Sequence, residues 1–186
     1  MKLSKKEIER RLKKIRLLAM DVDGVLTDGK IILLESGEEV KEWNVKDRIG
    51  FFMVQRASTP FHLVWITGRK SKQVEARAAE IDAVLFQNTD HKGRALEETA
   101  SKFGLRLEET LFIGDDLVDL PALARAGLAV CPADAHEEVR KVCHWVTRSP
   151  GGRGVFREVA DAVLKAHGEW KAVLDRFRDP DRRPNP

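Results

Sequence analysis

Four short segments hold the residues that could do chemistry. Asp21 and Asp23 open the run Asp21-Val22-Asp23-Gly24-Val25-Leu26-Thr27, and Thr67 stands in Ile66-Thr67-Gly68-Arg69-Lys70. Lys92 comes next, and Asp115 and Asp116 lie in Ile113-Gly114-Asp115-Asp116-Leu117-Val118-Asp119. Carboxylates gathered without a cation repel one another strongly. A hard divalent ion resolves that repulsion, and Mg²⁺ favours a few carboxylates together with water and phosphate oxygens. No His or Cys joins the group, which argues against zinc. A carboxylate nucleophile splits phosphate ester hydrolysis into two easier steps through an acyl phosphate. Asp21 is placed to be that nucleophile. Asp23, two residues on and on the same side of an extended chain, can protonate the leaving oxygen and later deprotonate water. Thr67 can donate to a phosphoryl oxygen, and Lys92 can neutralise charge and hold Asp21. Taken alone, Asp21-x-Asp23 is equally well a loop-capping pair; the other three segments remove that ambiguity.

What must position these residues is a set of strand ends. Arg16 to Met20 runs apolar straight into Asp21, as a strand buried on both faces does. Phe61 to Ile66 reads as a strand ending at Thr67, and Leu111 to Ile113 as one ending before Asp115. Further strands are expected at 83–86, 128–130 and 145–146. Helices are expected at 4–15, where Ser4 and Glu7 could form a capping box, and at 50–57, 71–81, 92–103, 117–126, 136–142 and 154–165. Ile31 to Leu34 and Glu39 to Val45, joined by Glu35-Ser36-Gly37-Glu38, read as a β-hairpin. Strand alternating with helix predicts an α/β fold with a doubly wound, Rossmann-like parallel sheet. In such a sheet ligands bind at the carboxyl ends of the strands. Residues 1–177 are expected to form one domain, with a charged, Pro-rich tail at 178–186 that is expected to be mobile.

Composition excludes several other roles. The net charge is +3 over 186 residues, with Lys and Arg interleaved among acids. Nucleic acid has no basic stripe to bind. No apolar run suits a signal peptide or a membrane span, and the basic amphipathic helix at 4–15 has too narrow a stripe to hold a membrane. Cys131 and Cys143 fit no metal motif and read as reduced thiols, in keeping with a cytoplasmic location; a disulfide between them is the alternative. His62, His91, His136, His144 and His167 are scattered, with no catalytic role assigned. The four Trp residues read as core or interface.

In order, Asp21 to Gly29, Ile66 to Lys70, Lys92 and Ile113 to Asp119 resemble the four motifs of the haloacid dehalogenase superfamily. The likeness covers about residues 15–163. Within it, Thr27-Asp28-Gly29, Asn44-Val45-Lys46-Asp47, Thr67 to Lys70 and Thr147-Arg148 with Gly151-Gly152-Arg153-Gly154 look most like the branch acting on 3-deoxy-D-manno-octulosonate 8-phosphate. That resemblance implies a cytoplasmic Mg²⁺-dependent phosphatase of lipopolysaccharide biosynthesis. Its metal would be held by Asp21, Asp23 (through the carbonyl) and Asp115, with Asp116 and Asp119 in support. Its substrate would be met by Thr27, Asp47, Gly68, Arg69 and Arg153. It also implies a homotetramer in which a neighbouring subunit completes the active site.

Spacing agrees with a partner as lid. Between Asp23 and Thr67 there is room for a hairpin but for no large cap domain, and between Thr67 and Lys92 for one helix and one strand. Water exclusion then needs a second chain; the hairpin with Trp43 is the expected contact, an intrachain core being the alternative. Arg48 departs from the family pattern, which has glycine there, and leaves the substrate open. Nine-carbon sugar acid phosphates (N-acylneuraminate or deaminoneuraminate 9-phosphate) are the alternatives. A receiver domain shares the aspartyl phosphate, Thr and Lys, but its motif order differs and it needs no Asp23. A non-catalytic scaffold would not need all four motifs.

Overall fold

The computed structural model describes residues 3–178. Arg178 closes the last helix; the rest of the expected tail lies outside the described residues. Six strands make one parallel sheet: β1 (Leu17–Met20), then, beyond a two-stranded hairpin of β2 (Ile32–Leu33) and β3 (Glu39–Val40), β4 (His62–Ile66), β5 (Val84–Phe86), β6 (Thr110–Ile113), β7 (Leu128–Cys131) and β8 (Trp145–Val146). The spatial order is β5-β4-β1-β6-β7-β8. β1 is therefore central, with β4 and β6 in parallel register on either side; Met20 lies opposite both Trp65 and Ile113.

Every residue of β1, β6 and β7 is buried, because helices cover both faces. The pleat sends alternate side chains to opposite layers. Leu18, Met20, Trp65 and Ile113 join one core with α1 (Lys5–Leu12), α2 (Val45–Gln55), α3 (Lys72–Glu80), α7 (Val155–Ala166) and α8 (Trp170–Arg178). Leu17, Ala19, Val64, Ile66 and Phe112 join the other with α4 (Lys92–Lys102), α5 (Leu120–Leu123) and α6 (Glu137–Val142). Cys131 and Cys143 form no disulfide and are buried in this second layer.

Several elements depart from the sequence reading. The Asn44 carboxamide accepts the Lys46 N–H at 2.9 Å, so α2 begins at Val45, five residues before the expected start and inside the expected hairpin strand. At the N-terminus, Ser4 caps α1, but Glu7 pairs with Arg10 and Arg11 instead of closing a capping box. The segment 117–126 is a 3₁₀ turn followed by the single helical turn of α5, because Pro121 sits at the start of that helix. Helix α8 was not foreseen, although Trp170, Val173, Leu174 and Phe177 have helical spacing. Trp43 stacks on Trp65, ring centroids 5.6 Å apart, and so belongs to the intrachain core. The hairpin's own apolar residues stay outside: Ile31, Leu33 and Leu34 are 56%, 66% and 46% exposed. No large cap interrupts the fold, and no helix among the described residues is long and apolar enough to cross a membrane.

Candidate active site

The three central strands end together, and each delivers one reactive side chain to the same edge. Asp21 follows β1, and its N–H donates to Ile113 O at 2.9 Å, so the ladder with β6 holds it in place. Thr67 follows β4 and donates its N–H to Phe86 O of β5, also at 2.9 Å. The Thr67 hydroxyl oxygen accepts the Arg69 N–H at 3.2 Å, which leaves the hydroxyl proton available to another acceptor. Asp115 follows β6, after Gly114, whose N–H donates to Val130 O at 3.1 Å.

Lys92 arrives from the first turn of α4, buried although charged. Its ammonium lies 2.9 Å from Asp21 Oδ2 and 2.7 Å from Asp119 Oδ1. Burial would depress that ammonium, but the two carboxylates outweigh it and hold it above its ordinary value. Breaking a buried pair of this kind costs about 3–5 kcal/mol, because it leaves an uncompensated charge.

Ligand oxygens of Asp21, Asp115 and Asp119 lie within 4.8 Å of one another. Burial, and then the charge of Asp119, pushes the Asp21 carboxyl up to about 7. Asp115 is pushed up to about 8 by burial and by the charges of Asp21, Asp119 and Asp116. Its Oδ1 is buried without a hydrogen-bond partner. A buried orphan oxygen beside a second strained carboxylate is what a hard cation would relieve, so the donor set fits magnesium.

The structure separates the remaining acids by what they touch. Asp119 is fully engaged: beyond Lys92, its Oδ2 accepts the N–H groups of Asp115 at 2.9 Å and Asp116 at 3.3 Å. It holds the loop rather than offering a free oxygen. Asp116 lies outside the three-carboxylate group; its exposed side chain accepts the Leu117 N–H at 2.7 Å and caps the 3₁₀ turn. Gly24, at φ +88°, is required by Asp115 itself: a Cβ there would stand 2.0 Å from Asp115 Oδ2.

Asp23 lies on the hairpin side. Lys41, just after β3, places its ammonium 2.5 Å from Asp23 Oδ1, and Arg69 Nε lies 3.8 Å from Asp23 Oδ2. Nothing in the sequence had marked Lys41. Gly68 follows Thr67 at the same rim, leading into Arg69.

Three expected substrate residues are placed as follows. Thr27 is buried, and its Oγ1 accepts the N–H groups of Gly24 at 3.4 Å and Gly29 at 3.3 Å, tying the turn. Asp47 is buried at the start of α7, where Oδ1 accepts the Arg157 N–H at 2.9 Å. Arg153 lines a small cavity of about 160 Å³ with Asp28, Glu42, Trp43 and Asn44. Arg48 turns to Glu80 at 2.9 Å and stacks over Phe52, so it offers no cation to the rim. Gly50, retained beside it, serves packing: a Cβ would lie 3.2 Å from the Arg157 backbone of α7. His144 also has a structural duty, its Nδ1 accepting the Ala129 N–H at 2.9 Å.

Known proteins share this sequence and fold. Residues 67–159 match the haloacid dehalogenase-like hydrolase family. The 3-deoxy-D-manno-octulosonate 8-phosphate phosphatase of Escherichia coli BL21-DE3 is 39% identical over 164 residues, 88% of this chain and 86% of that protein. The Yersinia pestis protein of the same name is 40% identical over 90% of this chain and 89% of its own length. The Moraxella catarrhalis enzyme of that name, crystallised with magnesium, phosphate and KDO, superposes with a TM-score of 0.90 at 37% identity, covering 94% of this chain and 99% of that one. The chain belongs to the haloacid dehalogenase-like hydrolases, among their phosphatases.

Proposed function

We propose that this protein is a magnesium-dependent phosphatase that releases phosphate and the free sugar acid from 3-deoxy-D-manno-octulosonate 8-phosphate, with Asp21 as nucleophile. The observation that carries the chemistry is the grouping of buried Asp21, Lys92 and Thr67 with half-buried Asp115, at the meeting of three strand ends. The names and coverage of the relatives support the substrate.

Asp21 attacks phosphorus as the bond to the sugar oxygen breaks, and Asp23 gives that oxygen its proton. Water then attacks the aspartyl phosphate and Asp23 takes a proton from it, which frees phosphate and regenerates Asp21. Thr67 donates its hydroxyl proton to a phosphoryl oxygen. Lys92 orients Asp21 and is held in turn by Asp119. Magnesium, held by Asp21, Asp115 and the Asp23 carbonyl, would supply positive charge against the phosphoryl oxygens and relieve the carboxylate repulsion. Arg69 is the cation closest in sequence to Thr67 and suits the sugar acid's carboxylate. The exposed Ile31 to Leu34 edge suits assembly with further copies, with a tetramer as the expected state and a neighbour closing the site.

A parallel screen of the octulosonate, neuraminate and deaminoneuraminate phosphates tests the substrate. kcat/KM for the eight-carbon ester is expected to lead by about 10-fold or more, the scale on which sugar contacts discriminate. Parity, or preference for a nine-carbon ester, would overturn the assignment.

A further inference from the structure

The hairpin reaches into the catalytic rim through charge. The Lys41 side chain is only 1% exposed, and its ammonium touches Asp23 Oδ1 at 2.5 Å and Glu39 Oε1 at 2.9 Å. The other oxygen of Glu39 receives the Arg69 guanidinium, and Gln73 of α3 donates to the Glu39 carbonyl. Asp23, Lys41, Glu39 and Arg69 thus form a ring of alternating charge across three chain segments. Lys41 is the hydrogen-bond donor found on the Asp23 carboxylate, while Asp23 Oδ2 is buried with no hydrogen-bond partner.

A general acid works only if the oxygen that carries its proton faces the atom that receives it. An Asp side chain turns about two dihedrals, and an aspartate fixed at one oxygen leaves the other pointing in a defined direction. We propose that Lys41 is a positioning residue for the reaction: by holding Asp23 Oδ1 it fixes the side-chain position from which the carboxyl gives its proton to the leaving oxygen and, later, takes one from the attacking water. Glu39 and Arg69 extend that anchor, so hairpin docking and acid placement are one event. The inference rests on the reading of Asp23 as general acid and base.

Leaving-group dependence separates this role from a merely structural one. A sugar alkoxide must be protonated as it departs, whereas 2,4-dinitrophenolate leaves without help. First-turnover rates with Mg²⁺ would be measured on octulosonate 8-phosphate and on 2,4-dinitrophenyl phosphate, with melting temperature as the check on folding. Lys41→Met should slow the sugar ester by about 30–100-fold, toward the lower end of what a general acid contributes. The dinitrophenyl ester should slow by no more than about 3-fold, and Lys41→Arg should recover most of the sugar ester rate. Equal losses on both esters, or none on either, would overturn the proposal. Asp23→Asn runs alongside: with no leaving-group bias in that variant, the reading of Asp23 itself falls, and the role of Lys41 falls with it. Bias in Asp23→Asn without bias in Lys41→Met overturns Lys41 alone. Should Lys41→Met not fold, Glu39→Gln carries the test, with the same bias expected at about 3–10-fold and its absence counting against the proposal.

Discussion

Asp21 and Asp47 are two aspartates buried to nearly the same degree, 6% and 3% exposed, one opening the run Asp21 to Thr27 and the other closing the run Asn44 to Asp47. Burial lifts both carboxyls, Asp21 to about 7 and Asp47 to about 6. Their surroundings differ in kind. Asp21 faces Lys92 and shares its space with Asp115 and Asp119. Asp47 faces backbone N–H groups at the start of α7, which pull its carboxyl down against burial, and its Oδ2 has no partner. A perturbed carboxyl is therefore no sign of catalysis by itself. What marks a site is convergence of several charged groups from separate segments on one spot.

The sharpest way to test that distinction is to remove each charge in turn. Asp21→Asn should lower kcat by about 10⁴-fold or more, as loss of a covalent nucleophile does. Asp47→Asn, which keeps an acceptor for the Arg157 N–H, should change kcat/KM by less than about 3-fold. Its signature lies in stability. A folded carboxyl raised to about 6 binds a proton that the unfolded chain has already lost, so its contribution is full below about pH 4 and fades as pH rises to about 6. Melting curves taken without Mg²⁺ across that window should lose this component in Asp47→Asn. An Asp47→Asn variant as inactive as Asp21→Asn would erase the distinction.

Magnesium should act on one of the two carboxylates and not the other. On the proposed ligand set the metal would bind the ionised forms of Asp21 and Asp115, so protons would compete with it up to about pH 7 and 8. The rise in melting temperature on adding Mg²⁺ should accordingly grow between pH 6 and pH 8, and EDTA should abolish both that rise and turnover. In Asp47→Asn the rise should be unchanged. In Asp115→Asn it should shrink at every pH, by more than the parent's loss on acidification.

The same contrast explains what could be read from sequence. A strand buried on both faces is a continuous apolar run, so the positions of Asp21, Thr67 and Asp115 at strand ends, and hence their convergence, follow from local pattern. Lys92 was legible through its place in the motif order. Long-range partners were not: that Asp47 meets Arg157 at a sequence separation of 110 depends on how α2 packs against α7. The Lys41–Asp23 pair depends likewise on where a hairpin with only two ladder residues per strand comes to rest. Asp119 hides for another reason. Its neighbours Asp115 and Asp116 look like better ligands, and only the fold shows that Asp119 spends both oxygens holding the loop and Lys92.

The smallest effect is expected at the residue that weakened the substrate reading most. Arg48 stands where the family pattern has glycine, which left the substrate open. Its guanidinium instead pairs with Glu80 at the end of α3, with its side chain 42% exposed, and lies 4.6 Å from the Phe52 ring centroid. An exposed pair of this kind stabilises by no more than about 1 kcal/mol. Arg48→Gly would also place a second flexible residue in the first turns of α2, at a cost of about 1 kcal/mol. Thermal stability should fall slightly, while kcat/KM for the eight- and nine-carbon esters should each stay within about 2-fold of the parent. A change in their ratio would put Arg48 back at the substrate, and would mean that the motif around Asp47 reads the sugar after all.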